Sequence, residues 1–300
     1  MSILNHKIDF AVIFSVNHAN PNGDPLMDNR PRMDSDGIGF ITDVCLKRKI
    51  RNRMQDFGSD IYVQSDERAT DACTSLQERA EAYTELIEAA KDQDAARMAE
   101  LACKKWADVR TFGNLFAFST KKGKKGDSDA NDTHGVSMGI RGPVTIQYAY
   151  STAPIDIEDS MIVKSVNGTT TTGKSSDRMG HQYQVPFAIY VAYGSINSRL
   201  AEKTGFSEED AAMVRKCLES LFENDESSTR PSGSMEVLQV IWWTHSTRDA
   251  AIPSGRVHRS LEVRNLVDSP KSVEDIELSC KKLNGVTIET MDGGLPVNIA

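Results

Sequence analysis

Residues 8–17, Ile-Asp-Phe-Ala-Val-Ile-Phe-Ser-Val-Asn, are rich in strand formers and mostly apolar, so the chain opens on a central strand of a sheet. A loop rich in Asn, Pro, Gly and Asp follows from 18 to about 41, residue types that suit turns and left-handed backbone. Thr42 then caps a helix. Asp43 lies in its first turn, and Leu46, Ile50, Met54 and Phe57 recur at near-helical spacing as its buried stripe, with the basic residues off that stripe. The stretch from about Ser65 to Val109 is rich in alanine and glutamate and predicts two helices, roughly 65–90 and 93–107, as a helical insertion. Lysine, glycine, serine and aspartate dominate 119–135, a loop composition. Strands return at 142–149, 187–193 and 236–244, the last alternating so that Trp242 and Trp243 face opposite ways. Between them, Ser207 and Asp210 form a capping box for a helix over 207–223 whose buried edge is Val214, Leu218 and Leu221. A final capped helix is expected after Ser272. Strand, helix, strands, helix, strand is the order of a ferredoxin-like, RNA-recognition-type α+β fold, one sheet face covered by helices and the insertions projecting from it.

Composition narrows the function. At 300 residues and 39% hydrophobic, the chain can bury an ordinary core as one large domain or two small ones. No apolar run reaches membrane-spanning length, and the first sixteen residues lack a cleavage site, so the cytoplasm is the expected location. Cys45, Cys73, Cys103, Cys217 and Cys280 are odd in number and include no Cys-x-x-Cys pair, which argues against a disulfide framework and against structural zinc. The net charge of −8 by itself speaks against a nucleic-acid partner. Local potential decides polyanion binding, however, and residues 47–53 hold five cations in seven positions while 121–125 hold four in five.

Several motifs compete. Gly168 to Ser175, with Gly173 and Lys174, matches the phosphate-binding loop pattern, but no helical apolar spacing follows it and no alternating β-α series surrounds it. A polar hairpin tip is the better reading, and a P-loop nucleotide triphosphatase the lesser one. Asp127 to Asp132 resembles the start of a calcium loop, yet the sixth position is Asp132 and the twelfth Met138, where glycine and glutamate are needed. Asp24, Asp28, Asp34 and Asp36 offer carboxylates for a magnesium site, although aspartates in such a loop more often make turns. The histidines show no metal-ligand spacing. In the capped helix, Lys47/Arg51 and Lys49/Arg53 are i,i+4 pairs with Arg48 between them, and no acidic residue stands between Asp43 and Asp56 to neutralise them. That pattern favours phosphate binding. The lysines at 121–125 are followed at once by aspartates and read as solvated. Asn20-Pro-Asn-Gly-Asp-Pro25 with Asn29-Arg-Pro-Arg32 combines backbone freedom, amide groups and two arginines, suited to the backbone of a single-stranded nucleic acid.

With those residues in view, the chain resembles the crRNA-binding backbone subunit of type I-C CRISPR Cascade complexes. The likeness rests on Asn20-Pro-Asn-Gly-Asp-Pro25, Pro31-Arg32, the run from Thr42 to Asn52, Asp108-Val-Arg-Thr-Phe-Gly113, Arg141-Gly-Pro-Val144 and Glu202-Lys-Thr-Gly-Phe-Ser207, in that order. The resemblance implies a single palm with a helical finger at 60–107 and a β-hairpin thumb at 154–181. It implies crRNA and target DNA as partners, with further copies of the chain in a helical filament and the large, small and crRNA-processing subunits beside them. No catalysis, metal or cofactor is implied. RNA contacts would fall at Asn20, Asn22, Gly23, Arg30 and Arg32, at Lys47, Arg48, Lys49, Arg51 and Phe112, and on the thumb at Lys174, Arg178, Met179 and His181. The chain departs from the pattern at His181-Gln-Tyr, where a more basic segment is usual, at Pro186-Phe-Ala188, and in the length of 119–135. The rival is a metal-dependent ribonuclease of the type III kind, cutting with a loop aspartate, Asp34 or Asp36.

Overall fold

The computed structural model describes residues 2–118, 136–163 and 179–300. Strand β1 (Ile8–Ala19) runs into a short antiparallel pair, β2 (Gly23–Asp24) with β3 (Arg30–Pro31), then β4 (Ile38–Ile41) and helix α1 (Asp43–Asp56). Helices α2 (Leu76–Glu81), α3 (Thr84–Lys91), α4 (Ala95–Lys105) and α5 (Ala107–Phe112) follow, and then strands β5 (Gly113–Phe118) and β6 (Val136–Arg141), which pair antiparallel. Next come β7 (Val144–Ile146), β8 (Ala149–Pro154), β9 (Glu158–Val163) and the long β10 (Met179–Ile196), leading to α6 (Ser198–Thr204), α7 (Glu208–Glu219) and β11 (Met235–His245). The chain closes with α8 (Ser254–His258), β12 (Leu261–Asn265), β13 (Ile276–Cys280), β14 (Val286–Thr290) and β15 (Val297–Ile299).

The main sheet has the order β14-β11-β1-β10-β8-β4, and β7 also pairs with β10. β1 lies inside it, antiparallel to β10 from Ile8↔Ile196 to Ala19↔Val185 and to β11 from Ile8↔Thr244 to Val16↔Met235. With α1 and α7 on one face, this is the ferredoxin-like palm. Thr42 caps α1 by accepting from Cys45 N, and the Ser207–Asp210 capping box starts α7 as its sequence requires. Leu46, Ile50 and Met54 meet Val214 and Leu218 over Phe10, Val12, Phe14 and Trp242. The strand expected at 142–149 is two. From Ile146↔Gly194 to Tyr150↔Val191 the β7–β8 side carries one residue more than β10, and Gln147 N bonds Tyr193 O across that bulge.

The second sheet face is covered as well, where the sequence predicts only one covered face. Ala11, Ile13, Ile241 and Trp243 pack against Val257, Leu261, Ile276, Leu278 and Cys280 of a C-terminal lobe built on the sheet β12-β13-β15. Trp242 and Trp243 therefore enter different cores, as their alternation predicts. The helix expected after Ser272 is absent. Ser272 and Asp275 do form a capping box, but it closes a single 3-10 turn at 273–275. Ile276, Leu278 and Cys280 then point inward at period two, so burial of that face selects a strand.

A third core gathers Tyr62, Leu86, Ala89, Met98, Ala102, Trp106, Val109, Phe116 and Met138. The helix expected over 65–90 is broken, since only α2 and α3 form there. Side chains of the Gln64–Ser75 stretch take backbone donors locally: Gln64 Oε1 accepts from Thr70 N, Asp71 Oδ1 from Cys73 N, and Ser75 Oγ from Glu78 N. Arg110 ties this lobe to the palm through a bidentate pair with Asp210 at 2.7 and 2.9 Å.

Candidate nucleic-acid interface

The five cations of α1 do not form an open basic face. Lys49 is 3% exposed and ion-pairs with Asp225 from the segment after α7, which Arg230 also contacts at 3.2 Å. Arg53 is buried, with Nη1 2.6 Å from Asp56 Oδ2 and both Nε and Nη2 donating to Ser220 Oγ. Arg51 Nε donates to Asp108 Oδ2 at 2.9 Å, and Lys47 Nζ to Asp43 Oδ2 at 3.0 Å. The two ends of the helix supply carboxylates to Lys47 and Arg53, and Asp108 and Asp225 bring them to Arg51 and Lys49 from elsewhere in the chain, so the buried Lys49 and Arg53 are structural. Arg48 differs. Its Nη1 donates to Val63 O at 2.9 Å and it makes no ion pair among the described residues. Burial lowers the pKa of its guanidinium and the Arg51 cation adds to that effect, while Asp108 and Glu67 act against it. Phe112, at the end of α5, offers its ring to Arg51 at 5.0 Å and Lys47 at 6.0 Å, which places it beside the half-buried Lys47 and Arg51.

The Asn20–Arg32 loop is held from within. Asn20 is 2% exposed and donates from Nδ2 to Asn29 O at 2.7 Å. Asn22 Oδ1 accepts from both Thr42 N and Thr42 Oγ1, fastening the loop to the start of α1. A Cβ at Gly23 would lie 2.0 Å from Asn29 Oδ1, so that position admits glycine because the loop closes on itself there. These three residues shape the loop. Arg32 pairs with Asp24 at 3.2 Å. Arg30 is exposed, with its guanidinium 4.7 Å from the centre of the Tyr183 ring.

Tyr183 was not among the residues singled out from sequence. It stands two positions after His181 on β10, hence on the same strand face, and the rings stack at 6.0 Å and 12°. Its hydroxyl donates to Asp28 Oδ2 at 3.5 Å, and His181 Nδ1 lies 2.8 Å from Asp159 Oδ1 on β9. Arg30, Tyr183 and His181 thus form one run from loop to strand, in place of the extra charge expected at His181-Gln-Tyr. Alternation on β10 was the signal that could have found it. Lys174, Arg178 and the side chain of Met179 lie outside the described residues, as do the phosphate-loop match, the lysines at 121–125 and the acidic run at 127–132.

The loop acids serve the backbone. Asp34 Oδ1 accepts from Asp36 N at 3.0 Å and Ile38 N at 2.9 Å, and Asp24 caps the 3-10 turn at 25–27. Among the described residues no three His, Cys, Asp or Glu side chains are grouped to hold a metal ion.

The family model described as CRISPR-associated protein Cas7 matches residues 6–281. The chain belongs to that family. A CRISPR-associated protein Cas7 of Haloferax volcanii is 29% identical over 246 residues, covering 80% of this chain and 71% of that protein. Among solved structures, a chain of a "CRISPR RNA-guided surveillance complex, pre-nicking" aligns at 13% identity and a TM-score of 0.47, over 84% of this chain and 81% of that one. A chain of a "CRISPR RNA-guided surveillance complex" aligns at 13% identity and a TM-score of 0.46, over 93% and 89%.

Proposed function

We propose that the protein is a non-catalytic, crRNA-binding backbone subunit of a CRISPR surveillance complex, of the type I-C Cascade kind, whose copies line up along a guide RNA and display it for pairing with target DNA. Membership of the Cas7 family over residues 6–281 carries this reading. The finer parts rest on the sequence motifs: a finger at 60–107, a thumb at 154–181, the large, small and crRNA-processing subunits as neighbours, and a cytoplasmic location. Within this reading, Arg48 and Lys47 on α1, and Arg30 and His181 on the loop side, hold RNA phosphates and sugars, with the buried Tyr183 ring fixing Arg30 and His181 in place and Lys174, Arg178 and Met179 contributing from the thumb. Arg32, Arg51 and Phe112 support them, and Lys49 acts through the fold. A subunit that accepts any guide holds the backbone and leaves the bases free. The local turn bonds of Asp34 favour binding over the ribonuclease alternative.

Made together with a CRISPR array, the protein is expected to purify as an oligomer carrying RNA of defined length, intact after incubation with magnesium. A monomer free of RNA from such cells sinks the proposal, and magnesium-dependent cleavage abolished by Asp34→Ala replaces it with the ribonuclease. In the same preparation, Lys47→Ala with Arg48→Ala is expected to weaken RNA binding for every sequence alike. Losing two single-stranded phosphate contacts flattens the slope of log K against log salt by about 1.4. An unchanged slope places the RNA elsewhere.

A further inference from the structure

The C-terminal lobe carries a basic group that the sequence pattern did not mark. Arg256 lies on α8 and Arg259 just beyond it, three residues apart on one helical face. A Cβ built on Gly255 would stand 3.5 Å from Arg259 Nη1, which places that guanidinium along the helix surface. Lys281 N donates to Ser260 O at 2.9 Å, bringing the end of β13 beside Arg259, and Lys282 N donates to Ala300 O at 2.7 Å. All four side chains belong to exposed residues. None makes an ion pair among the described residues, whereas the cations of α1 other than Arg48 are each tied to a carboxylate. The acid nearest in sequence, Glu262, shares a shallow cleft with Arg259 and His258.

The group also lacks what a reader of unpaired bases needs. Tyr193 is the aromatic ring in that cleft, and His258 already stacks on it at 4.8 Å and 23°. Unpaired strands are held by cations together with free aromatic faces, while non-specific binding of a duplex rests on its phosphates. The lobe covers the sheet face opposite α1, so this surface is separate from the proposed guide site.

We propose that Arg256, Arg259, Lys281 and Lys282 form a second nucleic-acid surface, which takes the phosphate backbone of duplex DNA without reading its sequence. Against one carboxylate in that cleft, Glu262, and a net charge of −8 for the chain, four exposed cations on neighbouring segments of the lobe make a local attraction on a repelling background.

The test uses the purified full chain, with and without guide RNA, and a fluorescent DNA duplex bearing no complement to any guide. Replacing the four cations by glutamine is expected to lower affinity at low salt about tenfold or more and to flatten the slope of log K against log salt by about 3.6, at about 0.9 for each duplex contact. Exchanging arginine for lysine and lysine for arginine at the four positions retains binding, and Arg199→Gln with Arg248→Gln, which removes exposed cations already paired with Asp249 and Glu202, leaves it unchanged. Thermal melting and the RNA content of the preparation are expected to stay at wild-type values. A wild-type protein that ignores the duplex, or a glutamine variant with unaltered affinity and slope, overturns the proposal. Loss of a co-purifying protein subunit with duplex binding intact also overturns it, in favour of an acidic protein surface. Duplex binding through these residues by a chain that never carries guide RNA leaves this inference standing and sinks the guide-binding reading.

Discussion

Asp108→Ala is expected to destabilise the fold by about 4 kcal/mol, read as a lower midpoint in chemical denaturation at unchanged slope. Asp108 is 1% exposed. Its Oδ1 accepts from Tyr62 N at 2.8 Å, and its Oδ2 from Val63 N at 3.1 Å and Arg51 Nε at 2.9 Å. Alanine orphans two backbone donors and an arginine at once, where the helical lobe leaves α1. Asp108→Asn keeps an acceptor for one backbone donor but loses the charge facing Arg51, so an intermediate loss is expected. Equal midpoints for wild type and Asp108→Ala would show that the junction holds without this carboxylate.

Lys49→Ala is the second large effect, expected at about 3 kcal/mol because it strands a carboxylate that is mostly withdrawn from water. Arg230 still reaches Asp225 at 3.2 Å, which places the loss at the lower end for a broken buried pair. Lys49→Met combined with Asp225→Asn is expected to recover part of it, since the buried position then carries no charge and the partly exposed Arg230, which loses its carboxylate, can be solvated. The pair also separates structure from RNA contact. At a temperature where Lys49→Ala remains folded, its salt dependence of RNA binding should equal that of wild type, and a flatter slope would return Lys49 to the contact surface.

These two residues show where sequence reading stops. The buried stripe of α1 was legible because helical spacing is local, and so were the Ser207–Asp210 box and the split of Trp242 from Trp243. Charge neutralisation was only half local. Asp43 and Asp56 at the helix ends take Lys47 and Arg53, but Arg51 meets Asp108 across 57 positions and Lys49 meets Asp225 across 176, so a window along the helix leaves those two cations unopposed. The box at Ser272 misled for a related reason: a cap satisfies backbone donors for one turn, while the next residues follow whichever periodicity buries their apolar side. Two motif fragments gain a physical meaning only in three dimensions. Gly113 has φ +79°, and a Cβ there would lie 2.1 Å from Ile140 O, while one on Gly142 would lie 2.5 Å from Gly113 N. Phe112-Gly113 and Arg141-Gly142 are thus the two sides of one close backbone crossing at the foot of β5 and β6.

The place of β1 in the sheet sets the order in which the molecule can be made. The strand is synthesised well before its sheet neighbours, β10 and β11, which lie more than 150 residues further along the chain. The lobe centred on Tyr62 and Trp106 closes over nearer contacts and can condense while synthesis continues. Throughout that interval Phe10, Val12, Ile13 and Phe14 have no sheet to enter, and an unpaired apolar strand is the species most prone to associate with other chains. Fast expression at high temperature should therefore fill inclusion bodies before any step involving RNA begins, and slower synthesis or a chaperone that shields β1 should raise the soluble yield.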